Sequence, residues 1–248
     1  MSYFYYQSKR IYFTEAGSGK PVVFLHGNTA SSKMFEPLQP LYVDGIHMIL
    51  IDFLGHGKSE RIERFPANLW LEEANQTVAL LEHLNLGRVS LVGTSGGAWV
   101  AINTALMRPD LVDKVVADSF DGRALGDDFA ENLLEERAHA KKDEMGAGFY
   151  QWCQGEDWES VVDKDTEALL QCAKEKIPLF VKPLCNMQVP LLLTGSKEDE
   201  MLRRDFQEEY RIIAKETGAA ATLFPTGNHP AILSNAEKMA ETIFGFLK

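Results

Sequence analysis

An apolar strand pattern, Val89-Ser90-Leu91-Val92, runs straight into Gly93-Thr94-Ser95-Gly96-Gly97 and then, from Ala98-Trp99 onward, into a helical repeat of apolar residues. A Gly-x-Ser-x-Gly turn between a strand and a helix leaves almost no room, because the two elements cross within a few residues of each other. Gly93 and Gly97 stand where a side chain would clash, and the turn holds the Ser95 hydroxyl out at the C-terminal edge of the strand. The helix that starts there aims its free N–H groups and its positive end at the same point. Five matching positions arise by chance in many glycine-bearing turns; the strand before and the helix after give the match its weight. Such a junction requires a layered α/β protein.

The rest of the chain supplies those layers. Short apolar runs rich in β-branched residues alternate with longer segments whose apolar residues recur three or four apart, the pattern of a mostly parallel sheet covered on both faces. Buried strands are expected at Val22 to Leu25, Met48 to Asp52, Val89 to Val92, Lys114 to Asp118, Pro190 to Thr194 and Thr222 to Pro225. Ahead of them, Tyr3 to Tyr6 and Arg10 to Thr14 flank Gln-Ser-Lys and predict an antiparallel hairpin. The total is about eight strands, an ordinary enzyme sheet. Helices are expected over Asn68 to Leu84, Gly96 to Met107, Met201 to Thr217 and Ala231 to Phe246. From Phe120 to Met187 the strand pattern stops and charged helical sequence takes over. So long a stretch without strands predicts a helical cap, inserted between the sixth and seventh strands of one domain that spans residues 1–248.

Composition excludes several roles. Thirty-six acidic against 25 basic residues give a formal charge of −11. A phosphate backbone is bound by Lys and Arg displacing counterions, so no nucleic-acid partner is expected. No apolar run approaches the length of about eighteen residues needed to span a bilayer. The N-terminus lacks the basic start and apolar core of a secretory signal, and a cytoplasmic location is expected. Cys153, Cys172 and Cys185 are odd in number and form no Cys-x-x-Cys pair, which predicts reduced thiols and no metal site.

Two further segments join the Ser95 turn. Val22 to Leu25 empties into His26-Gly27-Asn28-Thr29, and Ile49-Leu50-Ile51 into Asp52-Phe53-Leu54-Gly55-His56-Gly57-Lys58-Ser59. A loop after the first of these strands can donate a backbone N–H to an oxyanion, with Asn28 and Gly96 as the two expected donors. In this order the strand-His-Gly, Asp-x-x-Gly-His-Gly-x-Ser and strand-Gly-x-Ser-x-Gly segments resemble the α/β-hydrolase superfamily, over essentially the whole chain outside the cap. The resemblance implies that Asp52 and His56 are structural and that a catalytic triad follows in the chain order serine, acid, histidine. One base suffices for that chemistry, so His26 is expected to brace its loop.

Downstream, Leu223-Phe224-Pro225-Thr226-Gly227-Asn228-His229-Pro230 sits between the last predicted strand and the last predicted helix. His229 is the only histidine after His139, and a loop position lets it reach Ser95 as general base. His47, His83 and His139 are surface or packing candidates. For the acid, Gly195-Ser196-Lys197-Glu198-Asp199-Glu200-Met201 offers three adjacent carboxylates. In the family it resembles, many members have an acid three residues after the strand-ending glycine, which here is Glu198, whereas the acid-x-apolar step that follows in that pattern is matched by Asp199-Glu200-Met201. Asp199 is the first choice, Glu198 the second, and Asp118 at the tip of the preceding strand the third. Trp99, Trp152 and Trp158 are candidates to line an acyl pocket or simply to pack.

The resemblance implies a serine hydrolase that forms an acyl-enzyme on Ser95, acts on a small-molecule ester or related acyl substrate, and needs no cofactor. Serine at the elbow sets it apart from dehalogenase and epoxide-hydrolase branches, which place an aspartate there. Thioesterase, lactonase, carbon–carbon bond hydrolase and cofactor-free peroxidase chemistry fit the same residues, as does a non-catalytic ligand-binding role on the same fold. Nothing in the sequence assigns a particular substrate or an oligomeric state.

Overall fold

The structure, a computed structural model, describes residues 2–248. Eight strands form one sheet in the order β1-β2-β4-β3-β5-β6-β7-β8. They are β1 Ser2–Tyr6, β2 Lys9–Ala16, β3 Lys20–Leu25, β4 Ile46–Ile51, β5 Val89–Thr94, β6 Val112–Asp118, β7 Leu191–Ser196 and β8 Ala220–Phe224. The first two form the expected hairpin, turned at Gln7 and Ser8, which both take positive φ (48° and 65°) as a tight two-residue hairpin turn demands. β2 pairs with β4 antiparallel, and β3 to β8 pair with one another in parallel.

Strand alternation sends residues to both faces, and both faces are buried. Val23, Leu25, Ile49, Ile51 and Leu91 lie in one apolar cluster, and Val22, Phe24, Met48, Leu50 and Val92 in the other. Helices α2 (Leu69–Leu84), α3 (Gly96–Met107) and α7 (Phe206–Thr217) cover the first face. On the second lie the single turn α1 (Gln39–Tyr42), α8 (Ala231–Ser234) and α9 (Ala236–Leu247).

Two of the expected helices differ in extent. The segment starting at Met201 becomes helical only at Phe206, because Asp199 Oδ1 accepts the Met201 N–H at 3.1 Å and Asp121 Oδ1 accepts that of Arg203 at 2.8 Å. These side-chain bonds replace the first helical turn. The expected helix from Ala231 to Phe246 is two helices parted at Asn235, whose Nδ2 donates to Ser196 Oγ (3.0 Å) and to the Thr226 carbonyl (2.9 Å). That residue ties the His229 loop to the end of β7.

Between β6 and β7 the chain forms α4 (Phe129–Ala140), α5 (Glu144–Gln154) and α6 (Trp158–Glu175), with loops on either side. Phe120, at the start of this stretch, packs into the main core edge-on to Trp99. No helix among the described residues is long and apolar enough to cross a membrane.

Candidate active site

The pairing of β5 between β3 and β6 builds the site. Leu25 lies opposite Gly93 and Thr94 opposite Asp118, so three sequence-remote loops leave the sheet side by side. A Cβ on Gly93 would run into the Gly97 carbonyl, and one on Gly97 into the carbonyl of Leu25. The elbow therefore closes only with glycine at both positions. Ser95 sits at φ 54°, ψ −124°, a backbone conformation that non-glycine residues rarely adopt, and its N–H is held by the Asp118 carbonyl at 2.8 Å. Gly27 lies against it: a Cβ there would be 2.9 Å from Ser95 Cβ.

Asn28 and Gly96 are neighbours across this junction. The Asn28 side chain accepts from Trp70 Nε1 (3.1 Å), donates to Asp165 Oδ2 (3.0 Å), and fills the space where a side chain on Gly96 would go. Gly96 opens α3, so its N–H has no partner within the helix.

His229 and Ser95 line one cavity of about 80 Å3, together with Asn28, Trp70, Trp99 and Phe120. The histidine's Nδ1 lies 3.0 Å from both carboxylate oxygens of Asp199, and its backbone N–H donates to Glu200 Oε2 at 3.2 Å. Asp199 is buried, whereas Glu198 points to solvent. Burial alone would depress His229, but the hydrogen bond and charge of Asp199 outweigh it and hold the imidazole above its ordinary pKa. Asp118 is fully buried and engaged elsewhere, accepting from Thr94 Oγ1 and Thr194 Oγ1 at 2.8 Å and from the Ile232 N–H at 3.1 Å. Burial pushes its carboxyl up to about 6.

His26 and Asp52 brace the loops. His26 Nδ1 donates to the Gly27 carbonyl (2.8 Å) while Nε2 accepts from the Phe53 N–H (3.2 Å), which joins two loops; burial, and next His56, hold it down at about 3, in the neutral form. Asp52 accepts from the N–H groups of Ser32 and Lys58, both at 2.7 Å. His47 pairs with Glu15, His83 stacks on Phe4, and His139 borders a wider cleft of about 550 Å3 that shares Asp121, Phe129 and Leu133 with the Ser95 cavity. Of the three tryptophans, Trp99 lines the cavity, stacked on Trp70 (4.3 Å between ring centroids). Trp152 and Trp158 pack within the helical segment, on Phe149 and Tyr150 respectively. Among the described residues no group of three or more His, Cys, Asp or Glu converges where it could hold a metal ion.

Sequence reasoning missed Trp70, Arg137, Gln154 and Asp165. Gln154 Nε2 donates to the carbonyls of Thr29 (2.9 Å) and Ala30 (2.7 Å), and its Oε1 accepts the Gly57 N–H (2.7 Å). Arg137 lines the Ser95 cavity. Asp165 is buried, and burial would raise its carboxyl, but His56, Arg137 and Asn28 outweigh that and hold it below the usual range. A single polar residue on an amphipathic helix carries no signal that it faces inward.

The model of the alpha/beta hydrolase family matches residues 22–242. The 2-(acetamidomethylene)succinate hydrolase of Mesorhizobium japonicum is 39% identical over 107 residues, 43% of this chain and 37% of that protein. An sn-1-specific diacylglycerol lipase of Danio rerio is 34% identical over 106 residues, 42% of this chain and 32% of that protein. These matches span well under half the length of either relative. Among solved structures, a serine hydrolase involved in carbazole degradation superposes with a TM-score of 0.76 at 21% identity over 99% of both chains. An esterase from Exiguobacterium antarcticum gives 0.74 at 22% identity over 96% of this chain and 95% of its own. At such identities the superpositions speak for the fold alone.

Proposed function

Since this chain belongs to the α/β-hydrolase family, we propose that it is a serine hydrolase acting on a small carboxylic ester or related acyl compound. The observation that carries this reading is one cavity lined by both Ser95, on its glycine-closed elbow, and His229, whose Nδ1 is held by Asp199. In the mechanism, His229 Nε2 takes the Ser95 proton as the hydroxyl attacks the substrate carbonyl, then returns it to the leaving group. Water, activated by the same nitrogen, releases the acyl group. Asp199 fixes the tautomer that keeps Nε2 free and stabilises the imidazolium as it forms. The N–H groups of Asn28 and Gly96 receive the negative carbonyl oxygen of the tetrahedral intermediate. Helices α4 to α6 act as the cap over this site, contributing Phe129, Leu133, Arg137 and Leu169 to its wall.

A fluorophosphonate probe tests the reading. It is expected to label the native chain at one serine, and Ser95→Ala to abolish both labelling and ester hydrolysis. Labelling that survives in Ser95→Ala overturns the mechanism, and a chain that neither labels nor hydrolyses any acyl substrate is a binding protein on a catalytic fold.

A further inference from the structure

We propose that Arg137 is the specificity-determining residue of this site, and that its guanidinium receives a carboxylate carried by the substrate beside the scissile acyl group. The proposal rests on Ser95 being the nucleophile and adds the substrate class to that reading.

Helix α4 buries two inward side chains, Leu133 and Arg137, one helical turn apart, with half-buried Phe129 a turn before them at the same cavity. Both inward residues reach the Ser95 cavity. Most of that wall is apolar, formed by Trp70, Trp99, Phe120 and Leu169 among others. Burying a guanidinium there is costly unless anions answer it, and inside a low-dielectric wall its attraction for an anion far exceeds the value in water. The wall's other ionisable groups are already engaged. Asp121 accepts the Arg203 N–H, and His229 is bound to Asp199.

The neighbours of Arg137 hold it in place without exhausting it. Nη1 donates to Glu136 Oε2 (2.6 Å) and to the Tyr150 hydroxyl (3.0 Å), and Nη2 lies 3.5 Å from Asp165 Oδ1. Nε has no partner. Among the described residues five buried side-chain N or O atoms are unpartnered, and four of them belong to Arg137, Asp165 and His56. Loosely paired polar groups therefore gather where α4 and α6 meet the loops beside Ser95, facing one another at 3.5–3.8 Å without full hydrogen bonds. Asp165 is shared between Arg137, the Asn28 side chain and His56, whose Nε2 is 3.8 Å away. Asp165 is divided three ways and Glu136 is half-buried and holds only Nη1, so the guanidinium, paired loosely with both, keeps Nε for a further acceptor. The small cavity suits a short acyl chain ending in a planar carboxylate, whose geometry matches guanidinium N–H donors.

The test compares two 4-nitrophenyl esters that differ only at the far end of a five-carbon acyl chain, the hemiglutarate with a free carboxylate and its neutral terminal amide. The expected kcat/KM ratio favours the carboxylate by about tenfold or more, and Arg137→Gln is expected to erase that preference, with Arg137→Lys retaining part of it. Free glutarate should inhibit the native enzyme competitively and the Gln variant more than tenfold less. Fluorophosphonate labelling of Ser95 in each variant reports a folded site; should the variants fail to label, the native ester ratio and glutarate inhibition decide alone. A native enzyme that does not prefer the carboxylate, or a preference that survives in Arg137→Gln, overturns the proposal. Failure of the underlying reading shows differently, as hydrolysis of the neutral amide ester that persists in Ser95→Ala.

Discussion

The sheet and the helical segment α4 to α6 meet at one cavity, yet they are held by different forces. Every residue of β5 and β7 is buried, and the strands are gripped by apolar side chains on both faces. Helix α4 buries two residues, and much of what fastens the segment to the loops beside Ser95 is polar: Gln154 on the Thr29 and Ala30 carbonyls, Asp165 on Asn28, and Arg61 on Asp157 at 2.8 Å. Apolar contacts are numerous and forgiving in direction. Hydrogen bonds between buried groups are few and directional, so a change at this boundary should disturb the site's geometry before it disturbs the fold.

The largest effect should come from the loops that the sheet holds. Asp199→Asn is expected to lower turnover about 10⁴-fold with little change in melting temperature, while the exposed Glu198→Gln stays within about threefold. Steady-state rates on one good ester, beside thermal melts, make the comparison; the opposite ranking would transfer the role to Glu198. Next, Leu91→Ala in β5 should cost about 2–5 kcal/mol in urea unfolding, against at most about 0.5 kcal/mol for the exposed Leu134→Ala on α4. Equal costs would mean that the two regions do not differ as described.

At the polar boundary, Gln154→Leu should remove about 1–3 kcal/mol of stability, because two buried carbonyls and a half-buried N–H lose their partner, and should slow turnover about tenfold as the Asn28 loop loosens. Stability lost with turnover intact would make Gln154 a fastening alone. The smallest effect at neutral pH is the titration of His229. Its pKa is raised in the folded state, so its stabilising contribution is fully present below the ordinary imidazole pKa and fades as pH rises through the folded value. Activity needs the neutral ring and should rise through the same window. Asp199→Asn should move this acid limb of kcat/KM to lower pH, and a limb that does not move would show that another group governs it.

Much of the sheet could be read from the chain because strand and helix periodicities are local: Val89 to Gly97 specifies a strand, an elbow and a helix through its own apolar spacing and its glycines. Boundaries were less legible where a distant side chain competes with the helix, as Asp121 does at Arg203 and as Asn235 does by reaching for β7. The sequence ranked Asp199 above Glu198 only on a motif step and did not show which of them faces His229, for a related reason. Adjacent residues on a turn point in different directions, and which one faces His229 depends on how the β7 and β8 loops are set against each other.

What the sequence determined by itself was therefore the layering, the elbow that carries Ser95 and the loop that carries His229, since each follows from short-range sterics and spacing. The tertiary structure alone decided that Asp199 meets His229, that Trp70 and Asp165 lock the Asn28 side chain, and that Arg137 turns into the cavity. These are contacts between segments 30 to 137 residues apart. A charged residue on an amphipathic helix looks the same in sequence whether water or a buried partner awaits it, and only packing removes the water.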